Sequence, residues 1–170
     1  MMSTIKIPVF LSCPSILNER QQVVYDCLTD ALDQERLQPR ALGRSDFPQS
    51  DPMTEVYYIA RACYGAIILG FAQMDFPSGV IKPGTSSETP VARTVLPTPW
   101  NQIEAGMMIG LRKPLLVFAE QGVTGGIFDP GAFSGYIQKL TVDNFGPGER
   151  EGMRERVRQW SAQVRSLFRS

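Results

Sequence analysis

Short runs of apolar residues alternate along the chain with segments whose apolar positions recur at helical spacing. The runs predict five strands, at residues 5–11, 37–42, 64–71, 115–119 and 134–140. The intervening and terminal segments predict four helices, at residues 18–34, 51–63, 98–111 and 149–168. The run at 64–71 has no polar face, as a strand covered by helices on both sides requires. The alternation predicts a single three-layer α/β domain over residues 1–170, with an open parallel sheet flanked by helices.

The connection at residues 72–97 is long for a domain of this size. It is rich in Pro, Ser, Thr and Gly, and such a connection is usually a lid, a binding loop or a disordered segment. A surface insertion without a functional role is the alternative. Ligands of open parallel sheets bind beyond the carboxyl ends of the strands. We expect segments 12–17 and 43–50 and the start of this connection to meet there.

Glu104 lies on the apolar side of the helix predicted at residues 98–111. On a helical wheel of about 100° per residue it shares an arc with four apolar residues: Ile103, Met107, Met108 and Leu111. Gln102 and Ala105 take the outer side of the wheel. Burial of an unpaired carboxylate is costly and raises its pKa. The position predicts an acid–base role or a hydrogen bond to a sugar hydroxyl. A carboxylate that caps loop amides, or that pairs with Arg44 or Arg93, is the alternative.

The amino-acid composition argues against nucleic-acid binding and excludes catalytic and metal sites that need histidine. Lys and Arg number 17 and Asp and Glu also number 17, and the missing basic surplus argues against nucleic acid as a partner. The chain has no histidine, which excludes a Ser-His-Asp triad, a Cys-His pair and a His-ligated zinc site, and no metal site is expected.

The same reading predicts where the protein resides. No apolar run approaches the roughly 20 residues of a membrane span, so we expect no membrane partner. The first residues do not have the pattern of a signal peptide. Three widely spaced cysteines are typical of reduced thiols in the cytoplasm, which is the expected location.

Four sequence segments resemble proteins that act on N-glycosidic bonds. The run VFLS at residues 9–12 resembles the first-strand motif of TIR domains, and YGAIILGF at 64–71 resembles their central strand. WNQIE at residues 100–104 has the W-x-x-x-E spacing at which many TIR domains carry a catalytic glutamate. EAGMMIGLRKPLLVF at 104–118 is similar to the segment of nucleoside 2-deoxyribosyltransferases that begins with their nucleophilic glutamate. The likeness covers about residues 5–120, and both families imply a flavodoxin-like sheet with Glu104 as the catalytic residue.

The chain departs from both families near the predicted site. Residues 96–99 read Leu-Pro-Thr-Pro, where deoxyribosyltransferases usually have a Gly-Thr-rich turn with acidic residues. The connection at 72–97 is longer than in a typical TIR domain. A related phosphoribohydrolase family requires a PGGxGT signature, which residues 82–87 do not supply. The resemblance therefore places the chain in the broad TIR-like and deoxyribosyltransferase-like group.

The resemblance implies cleavage of the N-glycosidic bond of NAD or a related nucleotide, which would be a substrate rather than a cofactor. It also implies a homo-oligomer, a sensor or effector protein partner, and a role in bacterial antiviral defence. A nucleoside or nucleotide N-glycosidase or deoxyribosyltransferase is the alternative among enzymes. A non-catalytic module that binds a nucleotide or another protein is the alternative of another class.

Five further residues are candidates for substrate binding. Ser12 ends the first strand and either binds a phosphate or ribose or caps the following turn. Arg44 and Asp46 follow the second strand, where TIR domains carry a loop that shapes the pocket; an exposed ion pair is the alternative. Phe71 and Trp100 are expected to sandwich a base, with core packing as the alternative for Trp100.

Overall fold

A computed structural model describes residues 5–43, 45–46 and 51–170, and its centre is one parallel sheet. The five strands of this sheet are β1 (Ile7–Ser12), β2 (Leu37–Arg40), β3 (Ala66–Gly70), β8 (Leu115–Glu120) and β9 (Ile137–Leu140). Their order is β2-β1-β3-β8-β9, and every neighbouring pair is parallel. This is the strand order of the flavodoxin-like fold, so the predicted fold class is confirmed. Both ends of each predicted strand lie within three residues of the ends of the corresponding observed strand.

Four helices cover the two faces of the sheet: α1 (Glu19–Gln34), α2 (Pro52–Ala62), α3 (Pro99–Gly110) and α4 (Pro147–Arg169). α1 and α4 share one core with Val9, Leu11 and Ile67 of the strands. α2 and α3 pack on the other face, against strand residues such as Phe10 and Ile68. Successive strand residues point to opposite faces, so each central strand contributes to both cores. No helix in the described part of the chain is long and apolar enough to cross a bilayer.

The helix starts follow from local chemistry. Asn18 caps α1 by accepting from the Gln21 amide, and the Gln21 side chain accepts from the Asn18 amide in return. Asp51 and Thr98 cap α2 and α3, and each is followed by a proline at the first helical position.

The connection at residues 72–97 forms two antiparallel ribbons, and the possibility of disorder is therefore wrong. β4 (Met74–Phe76) pairs with β7 (Thr94–Leu96), and β5 (Gly79–Ile81) pairs with β6 (Thr89–Val91) farther out. The base is attached to the domain: Glu120 accepts from the Ala72 amide at 2.8 Å, and Val95 bridges to Val123. All three residues of β5 are exposed. We call residues 72–97 the double ribbon.

Candidate functional site

Three polar side chains are buried together where β1 ends and α3 passes over it. Ser12, Asn101 and Glu104 are 1%, 0% and 9% exposed. Asn101 Nδ2 donates to Ser12 Oγ at 2.7 Å, and the Ser12 hydroxyl group lowers the pKa of the neighbouring Glu104 carboxyl group. The Asn101 side-chain nitrogen can only donate, so Ser12 Oγ accepts from it, and the single Ser12 proton stays available to the Glu104 carboxylate. We call these three residues the carboxylate relay.

Each member of the relay is placed by the period of its own element. Phe10 and Ser12 alternate along β1 toward the face that α2 and α3 cover, whereas Val9 and Leu11 face α1 and α4. Asn101 and Glu104 are three residues apart on α3, which puts them on one side of the helix. The relay therefore joins two elements that are 89 residues apart in sequence.

The relay lies at the topological switch point of the sheet. β1 and β3 are neighbours, and the chain extends outward from them in opposite directions, to β2 on one side and to β8 and β9 on the other. Open α/β sheets bind ligands in the crevice at the carboxyl ends of the two strands where this reversal occurs. Ser12 is the last residue of β1 and pairs in register with Ile68 of β3.

Burial dominates the electrostatics of Glu104. Removal from water raises the pKa of Glu104 from 4.5 to about 7, and the hydrogen bond from Ser12 lowers it only in part. The expected partner Arg93 bonds Asp75 instead, through Nε at 2.9 Å and Nη2 at 2.6 Å, so the Arg93 alternative is wrong. Arg44, the other expected partner, lies outside the described residues. Near pH 7, Glu104 is thus divided between its acid and carboxylate forms.

One polar atom of the relay has no partner. Asn101 Oδ1 is buried and accepts no hydrogen bond from the described residues. A buried carbonyl oxygen in this position is costly unless a donor from water or a ligand completes it. The relay therefore offers one acceptor beside a protonatable carboxyl group.

The buried side of α3 is rotated from the one that the helical wheel predicts. Asn101, Glu104, Ala105 and Met108 are the residues that the helix buries. Ile103, predicted to face inward, is 40% exposed, whereas Ala105, predicted to face outward, is 1% exposed. The sheet under α3 is lined by Ile68 and Val117, and a small alanine permits closer packing there than isoleucine. The inward position of Glu104 was predicted; Asn101 was missed because an asparagine in an amphipathic helix has no distinguishing pattern.

The structure separates the two predicted aromatic residues. Phe71 is fully buried in the core shared with α1 and α4, on the face of the sheet opposite to the relay. Trp100 is 39% exposed on α3, so the alternative of core packing for Trp100 is wrong. The expected sandwich of a base between Phe71 and Trp100 is also wrong, because the sheet lies between the two positions.

Asp46 pairs with a residue that the sequence analysis did not single out. Arg40 Nε donates to Asp46 Oδ2 at 2.8 Å, and the Ser45 hydroxyl donates to the same oxygen at 2.6 Å. The Arg40 guanidinium and Ser45 together hold the pKa of Asp46 below its usual value. Asp46 thereby closes the turn after β2, and the structure does not bring it into contact with the relay. Its predicted companion Arg44 is not among the described residues.

A second polar group near the ends of the strands was also missed. Glu120 at the end of β8 accepts from Gln21 at 2.9 Å and from the Ala72 amide. Gln21 also donates to the Ala72 carbonyl at 3.2 Å. This group attaches the start of the double ribbon to α1 and β8, and thus holds the ribbon at the carboxyl ends of the strands.

The described residues contain no cluster of three or more Cys, Asp or Glu side chains that is arranged to hold a metal ion. No protein-family model and no curated protein matches the chain. The TIR-like and deoxyribosyltransferase-like resemblance therefore stays a prediction.

Proposed function

We propose that the protein cleaves the N-glycosidic bond of NAD or a related nucleotide, with Glu104 as the catalytic residue. The observation that carries this proposal is the buried Glu104 carboxyl group, which lies beside Ser12 at the switch point of a flavodoxin-like sheet. Cleavage at C1′ of a ribose passes through a state with positive charge on the ring, and a carboxylate stabilises such a state. Burial strengthens that stabilisation because little water screens the two charges.

The bond changes are those of a hydrolysis. The electron pair of the bond between C1′ and the ring nitrogen leaves with nicotinamide, whose nitrogen loses its positive charge in the process. Water adds its oxygen to C1′ and releases one proton to solvent. The leaving group needs no general acid, which suits a chain without histidine.

A neutral nucleoside is the second candidate substrate, for hydrolysis or for transfer of its sugar. The raised pKa of Glu104 favours it, because a carboxyl group that keeps its proton near pH 7 can donate it to a neutral leaving base. The two candidates differ in the form of Glu104 that they require, and pH therefore separates them.

The test is a turnover assay at high protein concentration, with NAD and a panel of nucleosides and nucleotides. We expect base release by the wild type, and a loss of at least about 100-fold in kcat in Glu104→Gln, since this variant keeps size and loses the charge. Glu88→Gln, which removes an exposed carboxylate of the double ribbon, is the matched control and should keep full activity.

The pH dependence of kcat/KM assigns the role of Glu104. For NAD, the rate should rise with pH and level off above about 7, where Glu104 is a carboxylate. For a neutral nucleoside, the rate should fall through the same range. Turnover that persists in Glu104→Gln would overturn the proposal. So would tight nucleotide binding by the wild type and by Glu104→Gln when neither cleaves any substrate of the panel. The second result would favour a binding module.

A further inference from the structure

A basic cleft lies at the opposite end of the sheet from the carboxylate relay. Its volume is about 620 Å³, and it opens between the end of α3, the start of β8, the segment before β9 and one side of α4. Leu115 and Leu116, which line it, are the first residues of β8, whereas Ser12 ends β1. Because these strands are parallel in one sheet, the cleft is at their amino ends and the relay is at their carboxyl ends.

Three cations line this cleft: Arg112, Lys113 and Arg156. No aspartate or glutamate is among its lining residues. None of the three cations forms an ion pair with a carboxylate anywhere in the described residues, although seven such pairs exist elsewhere in that part of the chain. Uncompensated positive charge of this density attracts anions.

Two of the cations are held by aromatic rings. The Arg156 guanidinium lies 4.5 Å from the centre of the Tyr136 ring, and Lys113 Nζ lies 5.4 Å from that of Tyr64. A ring positions a cation without neutralising it, and the charge stays available to a ligand. Tyr136 is itself 61% exposed and presents its ring at the cleft.

A buried donor without a partner adds an independent observation. Trp160 lines the cleft and is 4% exposed, yet its indole Nε1 donates to no acceptor among the described residues. The six-membered ring of the indole packs against Gly65, which does not line the cleft: a Cβ at Gly65 would lie 2.7 Å from Trp160 Cζ2. A buried N–H group is costly to leave without an acceptor, and an anionic oxygen is the strongest acceptor for it.

We propose that this cleft binds a phosphate-bearing small molecule of nucleotide size. The three cations suit the acceptor-only oxygens of phosphate groups, and the exposed Tyr136 ring suits a planar base. The volume is in the range of pockets for ligands of this size. The site goes beyond the proposed hydrolase function, because none of its residues belongs to the carboxylate relay.

The test is isothermal titration calorimetry with ATP and with tripolyphosphate at low and high salt. Both should bind, and affinity should fall as salt rises. We expect Lys113→Ala and Arg156→Glu to weaken binding by about tenfold or more, and Arg156→Lys to bind more tightly than Arg156→Glu. Tighter binding of ATP than of tripolyphosphate assigns a nucleotide, and equal binding assigns a polyphosphate without a recognised base.

Two controls locate the ligand. Arg158→Ala removes a neighbouring arginine of α4 that pairs with Glu155 and does not line the cleft, and it should leave the affinity unchanged. Glu104→Gln should also leave it unchanged, and the selective loss of affinity in Lys113→Ala and Arg156→Glu separates this site from the proposed active site. Quenching of tryptophan fluorescence in a Trp100→Phe background reports contact at Trp160. Three results would overturn the proposal: no binding by the wild type, the same affinity in Lys113→Ala and Arg156→Glu as in the wild type, or loss of binding in Glu104→Gln.

Discussion

At the scale of single residues, the molecule keeps a carboxyl group where its charge is poorly solvated. The Ser12 hydroxyl is the one described side-chain donor that lowers the pKa of Glu104, and burial outweighs it. The protein thus carries a destabilising charge at neutral pH and above. Such a cost is typical of functional sites, where a shifted pKa serves the chemistry. It also makes Glu104 a source of pH-dependent stability.

Glu104→Gln should flatten the dependence of the unfolding free energy on pH. The folded-state pKa of about 7 exceeds the ordinary value of 4.5, so the contribution of Glu104 to stability is complete below pH 4.5 and is lost as pH rises through 7. The difference in unfolding free energy, variant minus wild type, should therefore rise by about 3 kcal/mol between pH 4 and pH 8. Urea denaturation at a series of pH values measures it.

Glu88→Gln is the control for the change in net charge, since this side chain is exposed in the double ribbon. For Glu88→Gln, the difference in unfolding free energy from the wild type should change less with pH than it does for Glu104→Gln. If Glu104→Gln lowered stability equally at pH 4 and pH 8, Glu104 would be a structural cap rather than a carboxyl group under desolvation.

At the scale of elements, the segment that covers the end of β3 approaches the sheet closely because a glycine there has no side chain. Gly70 ends β3, and a Cβ there would lie 2.3 Å from the ring of Phe128, which is itself 1% exposed. Gly106 of α3 has the opposite surroundings: it is exposed, and a Cβ would meet nothing within 4 Å. The two glycines therefore separate a packing requirement from a helix-propensity effect.

Gly70→Ala should lower the unfolding free energy by about 1–3 kcal/mol, because the buried ring must move to admit a methyl group. Gly106→Ala should raise it by about 0.5–1 kcal/mol through better helix propensity. Chemical denaturation of both variants provides the measurement. Combining Gly70→Ala with Phe128→Leu should recover part of the loss, and additive losses in that pair would show that the two residues do not interact.

At the scale of the whole molecule, two cores lie on either side of the sheet and bury two of the three thiols. Cys27 lies in the core of α1 and α4, and Cys63 lies in the core of α2 and α3. Burial raises the pKa of both thiols, that of Cys63 to about 12. Cys13 is only partly buried at the carboxyl end of β1. None of the three cysteines forms a disulfide.

Iodoacetamide at pH 8 should therefore modify Cys13 much faster than Cys27 and Cys63 in the folded protein, because attack requires an accessible thiolate. In urea, all three should react. Peptide mass spectrometry counts the modified sites, and a Cys13→Ser variant should show almost no modification while folded. Equal rates at Cys13 and Cys63 would indicate that the core of α2 and α3 opens readily.

Local patterns in the sequence were enough to predict the order of the elements and the inward position of Glu104. Helical and strand periods, caps and prolines are local properties, so they can be recognised before any tertiary contact is known. The starts of α2 and α3 at Asp51-Pro52 and Thr98-Pro99 are examples.

The residues that surround Glu104 could not be predicted in this way, because they depend on the strand order and on helix packing. Ser12 bonds Asn101 across 89 positions, and this contact depends on the strand order that brings β1 beneath α3. The buried side of α3 also depends on the sheet, because Ala105 packs where the wheel alone places Ile103. The basic cleft likewise joins cations of α3 and α4 that no local pattern connects. The spacing of apolar residues in a helix or strand is a property of neighbouring residues and can be recognised in the sequence. A site is formed by segments that are distant in sequence, and their contacts depend on how the elements pack.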